Sequence, residues 1–568
     1  MRSTTNGRSV ALLSWCCQHR SLLTTAAKCA LTKGKSLSAG TIFKILDVRI
    51  DCHPARRGAS ATSSRCTNPG GIQGDFMPGM EFATLRDQVA ALQAKAISAT
   101  ELLELTIARI EKFDDKVNAV VVRDFDRARA AAKQADTALA RGEFAPLLGV
   151  PVAVKESFNV AGLPTTWGFP DAEGWLPAED AVLVTRVKDA GGVVIGKTNV
   201  PRALNDWQSY NDIYGTTSNP WDLTRSPGGS SGGSSAALAA GYVSLALGSD
   251  LAGSLRIPAH FCGVYAHKPS LPLLPGRGNT PPRTPTLPAR PDLAVVGPMT
   301  RSAADLTLAT LLLAGPDEVE SVAYQLALRP PRGEELRDYR VLVIDSHPLV
   351  PTGTVIRDGL DRIARGLEKA GATVARHSEL LPDLTLTAKT YLALLVSQFS
   401  AEVPSDVYRA AQATVAAIPP SNDPLESIIR GPFVASHGDW VASHGDWIKA
   451  DRVRVDLADQ WRRLFGEFDV VLSPITPTPA FPHDHSDLGT RTLEIDGATY
   501  PYDHHMIWIS AATALGLPST AVPIGHSPEG LPFGMQILGP YLEDHTTLRF
   551  AELIEQEFGG FTPPPGFA

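Results

Sequence analysis

Long apolar runs and an excess of basic residues are both missing from this chain of 568 residues. It contains no stretch of 18 or more apolar residues, which excludes a transmembrane helix by length. The formal net charge is −8, which argues against a surface built mainly to bind nucleic acid, because phosphates are bound by clustered Lys and Arg. A content of 43% hydrophobic and 20% charged residues is typical of a globular protein.

Cysteine is scarce, and its distribution divides the chain. Five of the six cysteines lie in residues 1–76, and only Cys262 lies beyond them. Residues 1–76 also carry 11 Lys and Arg against 3 Asp and Glu, whereas the remainder carries 41 against 57. A body with one cysteine in nearly 500 residues is not stabilised by disulfides. This predicts a reducing, cytoplasmic location.

Residues 1–76 are rich in Arg, Ser and Thr, which predicts a non-globular N-terminal extension. Three interpretations stay open: sequence upstream of a true start at Met77 or Met80, a transit peptide, or a secretory signal. The apolar stretch at residues 10–15 is too short for the core of a secretory signal. The cysteines show no zinc-ligand spacing. We expect one globular domain over residues 81–565.

The first part of this domain alternates predicted helices and strands. Thr84 and the capping box Ser98–Glu101 mark the starts of two helices. The apolar run before Lys155 predicts a buried strand that ends at this lysine. A further strand is predicted over Gly191–Asn199, and residues 340–376 have the pattern strand, helix, strand.

Residues 226–270 hold two glycine turns that carry hydroxyl groups. The first, Gly228–Gly233, has the sequence GGSSGG and opens a helix of small residues. The second, Ala252-Gly253-Ser254, is followed by Leu-Arg-Ile-Pro. Glycine lets backbone N–H groups approach a ligand closely, and the neighbouring hydroxyls are candidate nucleophiles. A flexible linker would not carry the Arg-x-Pro sequence that follows.

This stretch resembles the signature sequence of the amidase signature family, the serine amidases that use a Ser–cis-Ser–Lys triad. The resemblance covers roughly residues 81–560 and is densest at 145–315 and 468–555. It implies a single large α/β domain with a central mixed β-sheet covered by helices. It also implies hydrolysis of a carboxylic amide to an acid and ammonia or an amine, with no cofactor and no metal.

By match to the family motif, Ser254 is the expected nucleophile and Ser230 the bridging serine, which follows a cis peptide bond. Lys155, at the lysine of the family's G-[IV]-P-x-x-x-K-[DE] segment, is the expected base. The base must be neutral to accept a proton. Lowering a lysine pKa from about 10.4 to near 7–8 destabilises the ammonium form by about 4 kcal/mol. Desolvation beside an apolar strand can do this.

The resemblance also implies an oxyanion hole of four backbone N–H groups: Leu251, Ala252, Gly253 and Ser254. Ala252 stands where the family usually has glycine, and alanine would be strained there if the position required a positive φ. Asp250, Arg256 and Ser231 are expected to support the loop through hydrogen bonds. An ordinary surface ion pair is the alternative for Asp250 and Arg256.

Three other motifs compete with this assignment. Residues 228–232 fit the G-x-S-x-G elbow of α/β-hydrolases, but that motif requires a strand directly before the serine, and a loop is predicted here. A phosphate-binding loop is excluded because no Gly-Lys-Ser/Thr follows. His483-Asp484-His485 and Asp503-His504-His505 could collect a divalent ion, although histidines in polar loops are usually solvated.

Two functional alternatives stay open beside an amidase. One is the glutaminase subunit of a tRNA-dependent amidotransferase, which works with partner chains, and the other is a catalytically inactive, scaffold-like homologue. Residues 380–465 are predicted to be mostly helical, match the family poorly, and are therefore expected to select the substrate. They include a direct repeat of VASHGDW at 434–447. A small-molecule amide is the expected ligand, and a homodimer is left open.

Overall fold

A mixed β-sheet of eleven strands lies at the centre of the computed structural model, which describes residues 79–285, 291–400 and 444–568. The strands in chain order are β1 (Val120–Arg123), β2 (Pro151–Lys155), β3 (Val193–Thr198), β4 (Tyr210–Asn211), β5 (Gly215–Thr216), β6 (Leu245–Asp250), β7 (Tyr265–Lys268), β8 (Val295–Thr300), β9 (Arg340–Val343), β10 (Thr373–Ala375), β11 (Val470–Pro474), β12 (Thr492–Ile495), β13 (Ala498–Pro501), β14 (Ser519–His526) and β15 (Pro532–Leu538). The large sheet has the order β1-β3-β2-β6-β8-β7-β14-β15-β11-β9-β10, and β4–β5 and β12–β13 are separate hairpins. The predicted α/β fold with a central mixed sheet is confirmed.

Helices pack against this sheet, as the family resemblance implies. The helices in chain order are α1 (Leu85–Gln93), α2 (Ala99–Val117), α3 (Phe125–Ala140), α4 (Val182–Asp189), α5 (Gly232–Ala239), α6 (Arg256–Cys262), α7 (Ala303–Leu313), α8 (Glu318–Ser321), α9 (Thr354–Lys369), α10 (Leu384–Ser400), α11 (His444–Glu467), α12 (Ser510–Ala514) and α13 (Asp544–Phe558). Both predicted N-caps are present: the Thr84 side chain accepts from the Asp87 N–H, and Ser98 and Glu101 form the capping box. The predicted strand–helix–strand unit over 340–376 is β9, α9 and β10.

The direction of β2 and β6 places two sequence motifs side by side. These strands are parallel, with Val154 paired to Leu247, and every residue in both is buried. The carboxyl ends of parallel strands meet at one edge of a sheet. Lys155 at the end of β2 and Ser249 near the end of β6 therefore lie next to each other.

A large apolar core lies where α7, α9 and α13 pack on the strands of the second half. The core face of α9 contributes Ile356, Leu360, Ile363 and Leu367, whose i, i+4, i+7 spacing places them on one side of the helix. All four are fully buried. This amphipathic pattern explains how a helix with many charged residues is held on the sheet.

Some predictions fall outside the described residues. They are the interpretation of residues 1–76, residues 401–443 of the segment predicted to select the substrate, and most of the repeat, of which only residues 444–447 are described, at the start of α11. The described residues of Gly79–Ala323 and Leu328–Ala568 form one compact unit. Within the described ranges, no helix combines the length and the apolar character that spanning a membrane requires.

We predict that Leu360→Ala lowers the stability of the chain by about 2–5 kcal/mol, because it leaves a cavity in the core under α9. The matched control is Leu386→Ala, since Leu386 is 40% exposed on α10. Thermal unfolding of the full chain followed by circular dichroism tests this. An equal melting temperature for the two variants would contradict the described core.

Candidate active site

Lys155 and Ser230 are in direct hydrogen-bond contact. The lysine Nζ donates to Ser230 Oγ at 2.7 Å and to Ser249 Oγ at 2.9 Å. The Lys155 side chain has no solvent exposure. Burial lowers the pKa of Lys155 to about 7, against the opposing effect of the negative charge of Asp250. Near neutral pH, a substantial fraction of Lys155 is therefore a neutral amine that can accept a proton.

Ser230 lies in a tightly packed turn that only glycines permit. The Gly229–Ser230 peptide bond is cis, as the family resemblance implies. A Cβ at Gly229 would lie 2.3 Å from the Asp206 carbonyl oxygen, and a Cβ at Gly228 would lie 2.6 Å from Pro258 Cα. Gly228 also has φ +87°, a conformation that side chains disfavour. The two glycines thus let the turn lie directly against its neighbours.

Ser254 follows the second glycine turn at the start of α6. Ser254 is 7% exposed, whereas Ser230 is 1% exposed. The Ser231 N–H donates to the Ser254 carbonyl oxygen at 3.2 Å, and Ser231 Oγ donates to the Ser249 carbonyl oxygen at 3.3 Å. Ser231 therefore joins the two turns, and the backbone of Ser254 lies against the residue that follows Ser230.

Asp250 and Arg256 form an ion pair with no solvent exposure on either side chain. Arg256 donates to both carboxylate oxygens, at 2.9 and 3.0 Å. Burial raises the pKa of Asp250, but the charge and hydrogen bonds of Arg256, together with the charge of Lys268 and the hydrogen bond from the Leu255 N–H, outweigh burial and hold this pKa below its ordinary value. The alternative of an ordinary surface pair is therefore wrong.

Arg256 also ties this loop to the second half of the chain. Its guanidinium donates to the Ile509 carbonyl oxygen at 3.2 Å, to Gln536 Oε1 at 3.0 Å and to Thr513 Oγ1 at 2.7 Å. Gln536 lies on β15, and Thr513 lies on α12. The planar fork of arginine suits this set of acceptors, which a lysine could not satisfy together.

One of the four predicted oxyanion donors is occupied. The Gly253 N–H donates to Asp250 Oδ1 at 3.0 Å, so the prediction for this group is wrong. The physical reason is that a fixed carboxylate, a strong acceptor, already lies against it. Within residues 79–285, 291–400 and 444–568, the N–H groups of Leu251, Ala252 and Ser254 have no hydrogen-bond acceptor. These three remain as candidate donors.

Ala252, which stands where the family usually has glycine, does not adopt a left-handed backbone conformation and is therefore not strained. The left-handed residue of the turn is Gly253, with φ +85°, and Ala252 is not in this conformation. A Cβ at Gly253 would also lie 2.7 Å from Ile257 Cδ1. Glycine is therefore required at 253, and alanine is tolerated at 252.

The four histidines of the alternative metal site do not form one. No group of three or more potential ligands lies together in the described part of the chain. His485 stacks on Tyr210 with ring centroids 3.9 Å apart, and His505 is buried against Thr476 Oγ1. Burial lowers the pKa of His505 to about 3, so this ring is neutral. His485 and His505 thus make ring and hydrogen-bond contacts within the protein instead of forming a metal site.

Two further buried lysines show that a low pKa does not by itself identify a base. Burial lowers the pKa of Lys197 to about 8 and that of Lys268 to about 7. Lys197 donates to Thr165 Oγ1 at 2.6 Å, and Lys268 donates to the Pro269 carbonyl oxygen at 3.0 Å. Lys155 is distinguished by its contact with Ser230.

Sequence reasoning missed several residues of the site. Ser249 stands directly before Asp250 in the signature, and it lies beside Lys155 because β2 pairs in parallel with β6, a pairing that the sequence pattern did not reveal. Trp207 and Tyr391 donate to carbonyl oxygens of the second turn. Gln536 reaches Arg256 from β15. No local pattern marks these three.

Comparison with known proteins matches the chain to one family. The family model "Amidase" matches residues 101–548, and this chain belongs to that family. A glutamyl-tRNA(Gln) amidotransferase subunit from Anaeromyxobacter dehalogenans (strain 2CP-C) is 34% identical over 510 residues, which cover 85% of this chain and 97% of that protein.

Solved structures agree with this assignment. One, from a vestigial protein complex that bears on the origins of an s-triazine catabolic enzyme, is 28% identical with a TM-score of 0.68, and covers 84% of this chain and 98% of that chain. A bacterial aryl acylamidase of the amidase signature family is 24% identical with a TM-score of 0.67, covers 84% of this chain and 96% of that chain, and shares the fold. The chain is thus an amidase signature family hydrolase, a class that acts on amide C–N bonds.

We predict that Arg256→Met destabilises the chain by about 3–5 kcal/mol, because it leaves the buried Asp250 carboxylate without its partner. The control Arg463→Met removes an exposed surface pair with Asp459 and is expected to cost less than about 1 kcal/mol. The melting temperatures of the variants test this. In the double variant Arg256→Met/Asp250→Asn, part of the lost stability is expected to return. Equal melting temperatures for the two single variants would contradict the predicted role of the pair.

Proposed function

We propose that this chain is a serine amidase that hydrolyses a small carboxylic amide to the acid and ammonia or an amine, through an acyl-enzyme at Ser254. The observation that carries the proposal is the 2.7 Å contact between the buried Lys155 Nζ and Ser230 Oγ. Such a contact gives a hydroxyl a route for its proton to a base with a pKa near 7.

The proposed reaction moves one proton in each direction. As Ser254 Oγ attacks the amide carbonyl carbon, its proton passes to Ser230, whose own proton passes to the neutral Lys155. When the C–N bond breaks, the proton returns through Ser230 to the leaving nitrogen, which departs as ammonia or an amine. Water then attacks the acyl ester by the same route, and releases the acid and Ser254.

The oxyanion of the tetrahedral intermediate would be bound by the free N–H groups of Leu251, Ala252 and Ser254. Preorganised backbone donors of this kind each stabilise the transition state by about 3–4 kcal/mol. Asp250 holds the other face of the turn through the Gly253 N–H and through Arg256. The turn therefore needs little reorganisation when charge develops.

The first test is turnover by the full chain on aliphatic, aryl and indole-type amides and on glutamine. We expect release of ammonia or amine from at least one amide by the wild type. Turnover by Ser254→Ala is expected to fall at least about 10³-fold, since loss of a covalent nucleophile removes the acyl-enzyme route. Equal turnover by the wild type and this variant would show that Ser254 is not the nucleophile.

We predict that kcat/KM rises with pH along an acid limb with an apparent pKa of about 7, because the protonated Lys155 cannot accept a proton. Lys155→Arg, which stays charged, is expected to be inactive at every pH tested. Lys268→Met is the control, since Lys268 has a similarly low pKa, and it is expected to leave the limb in place. A limb near pH 4 would indicate a carboxylate base and contradict the assignment.

A second function is favoured by one observation, the 34% identity to a tRNA-dependent amidotransferase subunit over 97% of that protein's length. In that case the chain would act as a glutaminase together with partner chains. Glutamine turnover that appears only on addition of partner subunits would support it. A folded wild type that neither turns over any amide nor reacts at Ser254 would favour the inactive, scaffold-like alternative.

A further inference from the structure

The turn that precedes Ser254 has all of its carbonyl oxygens anchored. The Leu251 oxygen accepts from Tyr391 Oη at 3.2 Å, and the Ala252 oxygen accepts from Trp207 Nε1 at 2.9 Å. The Gly253 oxygen accepts from the Ile257 N–H at 2.8 Å, inside the first turn of α6. Two of the three anchors are thus side chains from distant parts of the chain.

Anchoring a carbonyl oxygen also fixes the direction of an N–H group. In a trans peptide the C=O and the N–H of the same planar unit point in opposite directions. The peptide that Tyr391 holds through the Leu251 oxygen carries the Ala252 N–H on its other side. The peptide that α6 holds through the Gly253 oxygen carries the Ser254 N–H. Both of these N–H groups are free of protein acceptors in the described part of the chain.

The peptide between these two is held at both ends. Trp207 donates to its oxygen at 2.9 Å, and its N–H, which belongs to Gly253, donates to Asp250 at 3.0 Å. This unit cannot rotate without losing two hydrogen bonds, one of them to a buried carboxylate. It therefore acts as a fixed spacer between the Ala252 and Ser254 donors.

Tyr391 is well suited to hold its peptide. The residue lies on α10 and is fully buried. Burial, together with the negative charge of Asp250, raises the pKa of its phenol above the ordinary value, so the hydroxyl stays a donor. A donor on the carbonyl oxygen also polarises the peptide and strengthens the N–H on its other side.

Trp207 is itself held in place by a buried cluster. Asp206, the residue before it, accepts from Tyr502 Oη at 2.8 Å and from Arg491 at 2.6 Å. The Asp206 and Arg491 side chains are 3% and 2% exposed. The Trp207 ring lies 5.2 Å from that of Tyr502, centroid to centroid. The indole N–H is therefore fixed in position against the Ala252 oxygen.

We infer that Tyr391 and Trp207 are positioning residues for the oxyanion hole, which orient the backbone donors through the carbonyl oxygens behind them. The inference rests on the proposed function, because it requires an oxyanion to form at Ser254. Neither side chain is assigned a contact with the reacting atoms. Their effect is carried by the two peptides that they hold.

The test uses Tyr391→Phe and Trp207→Phe, each with a control that makes the same chemical change elsewhere. Tyr339→Phe removes a buried phenol that donates to the Gly333 oxygen at 2.9 Å, and Trp221→Phe removes an indole that donates to the Cys262 oxygen at 3.0 Å. The probe is an alkyl fluorophosphonate: the serine oxygen bonds to its phosphorus, fluoride leaves, and negative charge develops on the phosphoryl oxygen in the transition state. Mass spectrometry follows the labelling of Ser254 over time at several probe concentrations. These data give the maximal labelling rate and the probe concentration at which half of that rate is reached.

We expect the maximal labelling rate, and kcat on any amide turned over, to fall by about 10- to 100-fold in Tyr391→Phe and Trp207→Phe. The half-saturating concentration is expected to change less than about threefold. The acid limb is expected to stay at its wild-type pH, since Lys155 and Ser230 are untouched. The two controls are expected to behave as wild type, and all four variants to have melting temperatures within a few degrees of one another.

Several results would overturn the inference while leaving the proposed function intact. One is a labelling rate in Tyr391→Phe and Trp207→Phe equal to that of the controls. Another is a labelling rate that falls equally in all four variants. A third is a change confined to the half-saturating concentration, with the maximal labelling rate unchanged. A shifted acid limb would place the effect on Lys155 instead. A wild-type chain inert to both amides and the fluorophosphonate would overturn the proposed function, and the inference with it.

Discussion

Burial of the Lys155 amine between two hydroxyl groups is the interaction on which the rest of the site depends. Ser230 and Ser249, rather than a carboxylate, accept its hydrogen bonds. A carboxylate at this distance would keep the lysine protonated, whereas hydroxyls in a desolvated pocket allow it to be neutral. The buried strand β2, the cis turn at Ser230 and the parallel pairing with β6 together create this environment.

The carboxylate nearest in the signature is paired elsewhere, so that Lys155 has hydroxyl partners and no ion pair. The carboxylate of Asp250 is committed to Arg256 and to the backbone of the second turn. The same pair links the signature segment to α12 and β15, so the geometry of the turn depends on both halves of the sheet. In our account, the fold positions Lys155 as the base, Ser230 as the residue that passes the proton, and the turn before Ser254 as the oxyanion hole. The few polar contacts between them keep that arrangement rigid.

The sequence predicted the parts of this arrangement that depend on short-range patterns. Glycine spacing located both turns, and an apolar run ending at Lys155 located β2. Contacts made by Trp207, Tyr391 and Gln536 join residues 45, 140 and 280 positions apart, and no local pattern encodes them. Gly253 was wrongly included among the donors because a motif does not show which N–H group a buried carboxylate already occupies.

The most direct measurement is the mass of the wild-type chain after rapid acid quench during reaction with a p-nitrophenyl ester, followed by peptide mapping. An ester acylates such a site quickly, and so accumulates the covalent intermediate that defines the mechanism. Our account predicts an added acyl group on the peptide that contains Ser254, absent in Lys155→Met. An acyl group on Ser230, or none on either serine of a folded chain, would contradict it.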